Sequence, residues 1–213
     1  MDTHQNAIIQ LKLNNTAEAL EKNNFTAYIA EDKAQAVEIL KTLINEGDTI
    51  GLGGSATLNE LGVVELCRDP KYKLLDRYAK GLSPSETSEI LRQSLLSDVF
   101  ITSTNAVTEN GELYNVDGRA NRVAAMLFGP LSVVVIAGYN KIVKDIDAAD
   151  NRVRQIAAPM NCVRLSRETP CTKLGHCADC RSEGRICADR VIMSRQMTKG
   201  RVKVILVKEE LGY

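Results

Sequence analysis

After Ser132, the run Val133-Val134-Val135-Ile136-Ala137 is apolar on both faces of an extended chain, so it has no side to turn toward water. That is the pattern of a central strand in a parallel sheet with helices on both faces. Gly129-Pro130 separates it from Arg119 to Phe128, which has helical propensity. On its other side, Asp145 is placed to cap a helix from Ile146 to Ala157 that Pro159 ends. Further upstream, Ile9, Leu13, Ala17 and Leu20 recur at helical spacing before the short apolar run Phe25 to Ala30. Asp32 caps a helix carrying Val37, Leu40 and Ile44, and Thr49 to Leu52 follows as a buried strand. Thr57 to Cys67 reads as helix, Lys73 to Asp76 as strand, Ser83-Pro84-Ser85-Glu86 as a helix start, and Val99 to Ser103 as strand. Asn110-Gly111 between Ala106-Val107-Thr108 and Leu113-Tyr114 marks a hairpin, and Val202 to Val207 closes the series. Strands alternating with helices predict an α/β fold with a mostly parallel sheet flanked by helices, and ligands at the carboxyl ends of its strands.

The chain has 213 residues, 44% of them apolar, and reads as a single domain over 1–213. Lys plus Arg and Asp plus Glu both total 27, which excludes the global basic field of a nonspecific nucleic-acid binder, so a charged ligand must meet a local patch. No stretch approaches the ~18 consecutive apolar residues of a membrane span. The N-terminus lacks the basic and apolar regions of a secretory signal, so the expected location is cytoplasmic.

Asp48 to Leu58 reads as strand, glycine turn and helix. In it Gly51, Gly53 and Gly54 allow close backbone approach, while Ser55 and Thr57 add hydroxyls for a phosphate or carboxylate. A tight turn whose glycines serve packing is the competing reading. No Lys follows the glycines, which excludes a Walker loop. Gly51, Gly53 and Ala56 nominally satisfy G-x-G-x-x-A with Asp76 downstream, but a strand and two helices precede the turn, so a nucleotide cofactor is not expected.

Polar residues crowd the hairpin from Asn105 to Arg122. Glu109 or Asp117 has the chemistry of a general base or carboxylate nucleophile, Thr108 and Asn110 that of hydrogen-bonding ligands, and Arg119 and Arg122 that of a forked carboxylate clamp. A solvated hairpin with Asp117 as helix cap suits the same residues.

Four of the six cysteines, Cys171, Cys177, Cys180 and Cys187, fall within 171–187 with spacing C-x5-C-x2-C-x6-C. In a reducing compartment such a cluster reads as a metal site, with the central C-x-x-C chelating one ion or cluster. The single knuckle and irregular flanks suit a 4Fe-4S iron-sulfur cluster, with zinc close behind, and three thiolates with His176 are a further ligand set. Lys173, Arg181 and Arg185 offset the thiolate charge.

Taken together, Gly53-Gly54-Ser55-Ala56-Thr57, Val107-Thr108-Glu109-Asn110-Gly111-Glu112-Leu113 and Asp117-Gly118-Arg119-Ala120-Asn121-Arg122 resemble the lactate-utilisation (LUD) domain family, long catalogued as a domain of unknown function. The resemblance runs from about residue 5 to about residue 207, and the family's cysteine-bearing tail is similar to Gly175, Cys177, Asp179, Cys180, Arg185, Ile186 and Cys187. It implies the NagB/RpiA/CoA transferase-like fold, and one cleft holding Gly53, Gly54, Ser55 and Thr57 with Thr108, Glu109, Asn110 and Asp117. It further implies a small anionic metabolite as ligand, a role in oxidising lactate or a related 2-hydroxy acid, and iron-sulfur electron-transfer proteins as partners. A homo-oligomer is also expected. The alternatives are an acyl, CoA or phospho-ligand transferase or ligase of the same superfamily, and a non-catalytic metabolite-binding subunit.

Overall fold

The computed structural model describes residues 2–213. The chain runs α1 (Thr3–Lys22), β1 (Thr26–Ala30), α2 (Lys33–Thr42), β2 (Thr49–Leu52), α3 (Ala56–Glu60), α4 (Val63–Cys67), β3 (Lys73–Leu75), α5 (Pro84–Gln93) and β4 (Val99–Thr102). It continues through β5 (Ala106–Thr108), β6 (Leu113–Asp117), α6 (Asn121–Leu127), β7 (Ser132–Gly138), β8 (Ile142–Val143), α7 (Ile146–Arg152), α8 (Ala158–Arg164), α9 (Cys171–Leu174), β9 (Asp189–Met193) and β10 (Val202–Val207). Helix starts fall where the capping chemistry places them. Asp32 accepts from the Gln35 N–H at 2.8 Å, Asp145 from Ala148 at 2.9 Å, and Ser83 with Glu86 closes a capping box around Pro84.

Six strands in the order β1-β10-β7-β4-β2-β3 form one sheet, every pair parallel. β7 is central and buried along its length, as its two-faced apolar run requires. Its alternate side chains feed separate cores. Val134 and Ile136 pack with Leu40, Leu58 and Val63 on one face, and Val133, Val135 and Ala137 pack with Leu13, Leu20 and Met126 on the other. The result is an α/β fold with a mostly parallel sheet flanked by helices. A second, four-stranded sheet, β8-β5-β6-β9, lies on the α1 side, joined to the second core through Val107, Leu113 and Met193. Its strands β8 and β9 are additions to the expected list, being too short or too exposed to show a clear period.

Two expected helices differ. Thr57 to Cys67 splits into α3 and α4 because Gly62 takes a left-handed φ of 66° between them. Pro159 does not end its helix. A π turn over Val153–Ala157 joins α7 to α8, the wider hydrogen-bond step letting the chain pass a residue without an N–H and run on to Arg164. From β2 the chain steps to β3 on one side and then to β4 on the other, so the β2–β4 boundary is where the connections change direction, and a crevice opens at its carboxyl end.

Candidate functional site

That crevice is a cleft of about 80 Å³, lined at its base by Gly54, Ser55, Ser103, Thr104 and Lys141. Gly54 and Ser55 follow β2, Ser103 and Thr104 follow β4, and Lys141 follows β7, so three successive carboxyl ends converge. Asn105, Val116 and Asp117 form one wall, and Ala157, Asn161, Arg164 and Tyr213 the other. Ser55 caps α3 by accepting from the Leu58 N–H at 3.4 Å.

Lys141 is the feature of the site that the sequence reading missed. Its side chain is 2% exposed, and Nζ donates to Thr57 Oγ1 at 2.9 Å, Ser103 Oγ at 3.0 Å and the Thr104 carbonyl at 3.3 Å. Burial, aided by the nearby Arg152 and Arg122 guanidiniums, pushes its pKa down to about 7. Arg152 is also buried, donates to the Asn140 and Asn105 carbonyls, and is pushed down to about 10 by burial. Among the described residues neither cation has a carboxylate within ion-pair distance. Tyr213 Oη, on the opposite wall, is buried without a hydrogen-bond partner. The available signal was position: Gly138-Tyr139-Asn140-Lys141 directly follows the central strand.

Arg122 and Asp117 stand at the cleft but face each other. Arg122 Nη2 lies 2.6 Å from Asp117 Oδ1 and also reaches Asn105 Oδ1 and Val116 O, while Nη1 donates to Ser103 O and Asn115 Oδ1 and Nε to Asp117 Oδ1. The second Asp117 oxygen accepts from the Val123 N–H at 3.2 Å. Arg122 is thus spent on the protein and has no fork left for a substrate, which corrects its expected role as a clamp.

The structure does not bring the hairpin tip into the cleft. The open end of the β5–β6 hairpin, at Asn105 and Val116, faces the site, and the strands carry the tip away to dock on α1. There Asn23 Nδ2 donates to the Asn110 and Gly111 carbonyls, and a Cβ on Gly111 would meet the Ala19 carbonyl carbon at 2.4 Å. Glu109 pairs with Lys12 at 3.7 Å in solvent, and Thr108 bonds within the turn to Glu112. The expected single cleft with Thr108, Glu109 and Asn110 is corrected accordingly. Arg119 is exposed beside Ser88, apart from the cleft. Gly51 and Gly53 serve packing, since a Cβ there would lie 2.9 Å from Ser94 Cβ and 2.3 Å from Thr102 Oγ1. Gly54 is open, its nearest neighbour being the Arg77 side chain at 3.6 Å.

Cys171, Cys177, Cys180 and Cys187 line one small cavity of about 20 Å³, and Cys162 of α8 joins them there. In sequence Cys162 lies outside the cluster. The α7–α8 helix brings it in, with Ala157 and Asn161 toward the cleft and Ala158 and Cys162 toward the thiols. Burial pushes Cys187 up to about 11 and raises Cys162, whereas hydrogen bonds from Ser182 lower Cys180. Five thiols suit a thiophilic metal in kind. Among the described residues, however, no three His, Cys, Asp or Glu side chains stand in an arrangement that could hold a metal ion, so the expected four-cysteine chelate is not preformed.

No helix is long and apolar enough to cross a membrane among the described residues. Among solved structures, the chain is similar to a DUF162 family protein from Deinococcus radiodurans, with 15% identity over 95% of this chain and 98% of that one and a TM-score of 0.48. It is also similar to eIF2B beta from Chaetomium thermophilum, with 16% identity over 54% of this chain and 44% of that one and a TM-score of 0.37. No curated protein matches it. The LUD domain profile matches residues 13–207, nearly the whole of the chain that builds the sheet, the cleft and the thiol cavity, and the protein therefore belongs to the LUD domain family.

Proposed function

We propose that the cleft binds a small anionic metabolite, a 2-hydroxy carboxylate of the lactate type or its 2-oxo counterpart, and that the chain supports oxidation of that acid with iron-sulfur partner proteins. The observation that carries this reading is Lys141, buried at the cleft base with no carboxylate to balance it, while Arg152, a second buried cation without a carboxylate partner, bonds the carbonyl of the cleft residue Asn105. Buried cations are normally paired, and a ligand anion beside the Gly54-Ser55 turn supplies the missing charge. Arg164 at the mouth and the free Tyr213 hydroxyl add donors. The cleft volume, well below the roughly 300–1,000 Å³ of drug-sized pockets, favours a small acid over a dinucleotide.

The thiol cavity is proposed as a site for zinc or a 4Fe-4S cluster. Cys177 and Cys180 lie on irregular chain that can close on an ion, and Arg185, bonded to the Cys180 and Cys187 carbonyls, stands beside the thiolate charge. Such a group would supply either electron transfer or a brace for α8.

Calorimetric titration with lactate, pyruvate and phosphate tests the cleft. Wild-type protein is expected to bind at least one of these anions and Lys141→Met to lose it at least tenfold, whereas absence of binding to all three refutes the reading. Anaerobic purification with iron, sulfide and zinc analysis tests the thiol site, and metal-free protein that takes up neither iron with sulfide nor zinc refutes it.

A further inference from the structure

We propose that Lys141 is a Schiff-base lysine, its Nζ condensing with the carbonyl carbon of an anionic aldehyde or ketone held in the cleft. The inference rests on the anion reading of the cleft and adds a covalent step to it.

Position comes first. Lys141 leaves the carboxyl end of the central strand and brings its amine to the base of the cleft, between the ends of β2 and β4. A lysine kept only for stability in so buried a place would be paired with a carboxylate. Here Asp117 is committed to Arg122, and Glu60 acts on Lys141 only from a distance.

Its partners are the second observation. Of the three groups within hydrogen-bond reach, only the Thr104 carbonyl must accept. The hydroxyls of Thr57 and Ser103 can each donate as well as accept, so the shell suits an uncharged amine as well as an ammonium. An uncharged amine gives its two N–H groups to Thr104 O and one hydroxyl and accepts at its lone pair from the other hydroxyl, which turns away when a ligand's carbonyl carbon takes that position. Desolvation and neighbouring cations are the general means of making a lysine nucleophilic, and burial with Arg152 and Arg122 provides both here.

The third observation is the division of labour around the cleft. Arg164 and Asn161 stand at the mouth, while the Gly54-Ser55 turn and the amine share the base, so an acid whose carboxylate sits against the turn holds its adjacent carbonyl carbon beside the amine. In the reaction the Nζ lone pair forms the C–N bond and the carbonyl π pair moves to oxygen. That oxygen takes a proton from nitrogen through the Ser103 or Thr57 hydroxyl, giving the carbinolamine. A proton from solvent on the new hydroxyl releases water as the nitrogen lone pair closes the C=N bond, and the iminium so formed gives its remaining N–H proton back to reach the neutral imine. Amine and carbonyl thus become imine and water, with no change of oxidation state and no further reactant. Protonated, the imine retains the positive charge that faces the ligand's carboxylate.

The test is reductive trapping. Wild-type protein is incubated with pyruvate or glyoxylate, treated with sodium borohydride, and read by intact mass and peptide mapping, with calorimetric binding measured alongside. The expected result is a single adduct per chain on the peptide carrying Lys141, absent from Lys141→Arg and suppressed by excess lactate, which carries no carbonyl. An oxo acid that binds by calorimetry yet leaves no adduct on the wild-type Lys141 peptide overturns the proposal and leaves the anion reading standing. Adducts spread over surface lysines and unchanged in Lys141→Arg overturn it equally. Failure of both acids to bind and to be trapped overturns the covalent step, and the anion reading falls with it only where lactate and phosphate also fail to bind. Mapping on the wild-type chain decides the matter even where the variant does not fold.

Discussion

Arg122 and Lys141 both give their N–H groups to protein acceptors and differ in whether a carboxylate sits opposite. Arg122 ties Asn105, Asn115, Val116, Ser103 and Asp117 into one knot, so Arg122→Lys, which cannot reproduce the planar fork, is expected to cost about 3 kcal/mol in a urea melt. A change below about 1 kcal/mol would show that the knot is not structural. For Lys141 the folded pKa is depressed from 10.5 to about 7, so the unfolded chain binds more protons between those values and stability rises with pH across that window. The burial penalty is full below about pH 7 and relieved toward pH 10.5, a swing of roughly 4–5 kcal/mol at most. Wild type should therefore gain on Lys141→Met as pH climbs through this range, and parallel melting curves at every pH would refute the buried charge.

At the scale of elements, the glycine turn and the hairpin each do a different job at their two ends. Gly53 is locked against Thr102 while Gly54 is open, so Gly54→Val is expected to weaken anion binding at least tenfold with an unchanged circular dichroism spectrum. Gly53→Ala, by contrast, should lower the melting temperature. Gly111 sits at φ 78° against the backbone of α1, and Gly111→Ala should destabilise the hairpin by more than about 1 kcal/mol while Glu109→Gln leaves anion binding unchanged. Loss of binding in Glu109→Gln would return the hairpin tip to the site. The strand alternation, the capped starts at Asp32, Ser83 and Asp145 and the Asn-Gly hairpin were legible because each depends on neighbours within a few residues. The break at Gly62 and the π turn before Pro159 were not, since both are local distortions settled by what the flanking segments must pack against.

For the whole molecule, α8 is the shared wall between two sites, with Asn161 on the cleft and Cys162 among the thiols. If the thiols take up a metal, Cys177→Ser and Cys180→Ser should each release it, and full metal content in both variants would refute the central chelate. Removing a bound metal should also loosen α8 and so weaken anion binding in the cleft, which calorimetry with and without chelator reads directly. The family profile over residues 13–207 takes in the thiol cavity and all of the cleft lining but Tyr213.

The residues alone determined the α/β alternation, the central place of Val133 to Ala137, the glycine turn after β2 and the cysteine spacing, because these are written in local periodicity and short-range chemistry. Only the tertiary structure decided which polar residues share a cleft. Hairpin length swung Glu109 and Asn110 to α1, the hydrogen-bond count spent Arg122 on its own neighbours, and parallel strand order set Lys141 beside Thr57 and Ser103. Burial and saturation are properties of what surrounds a side chain, and those surroundings come from residues far away in the sequence.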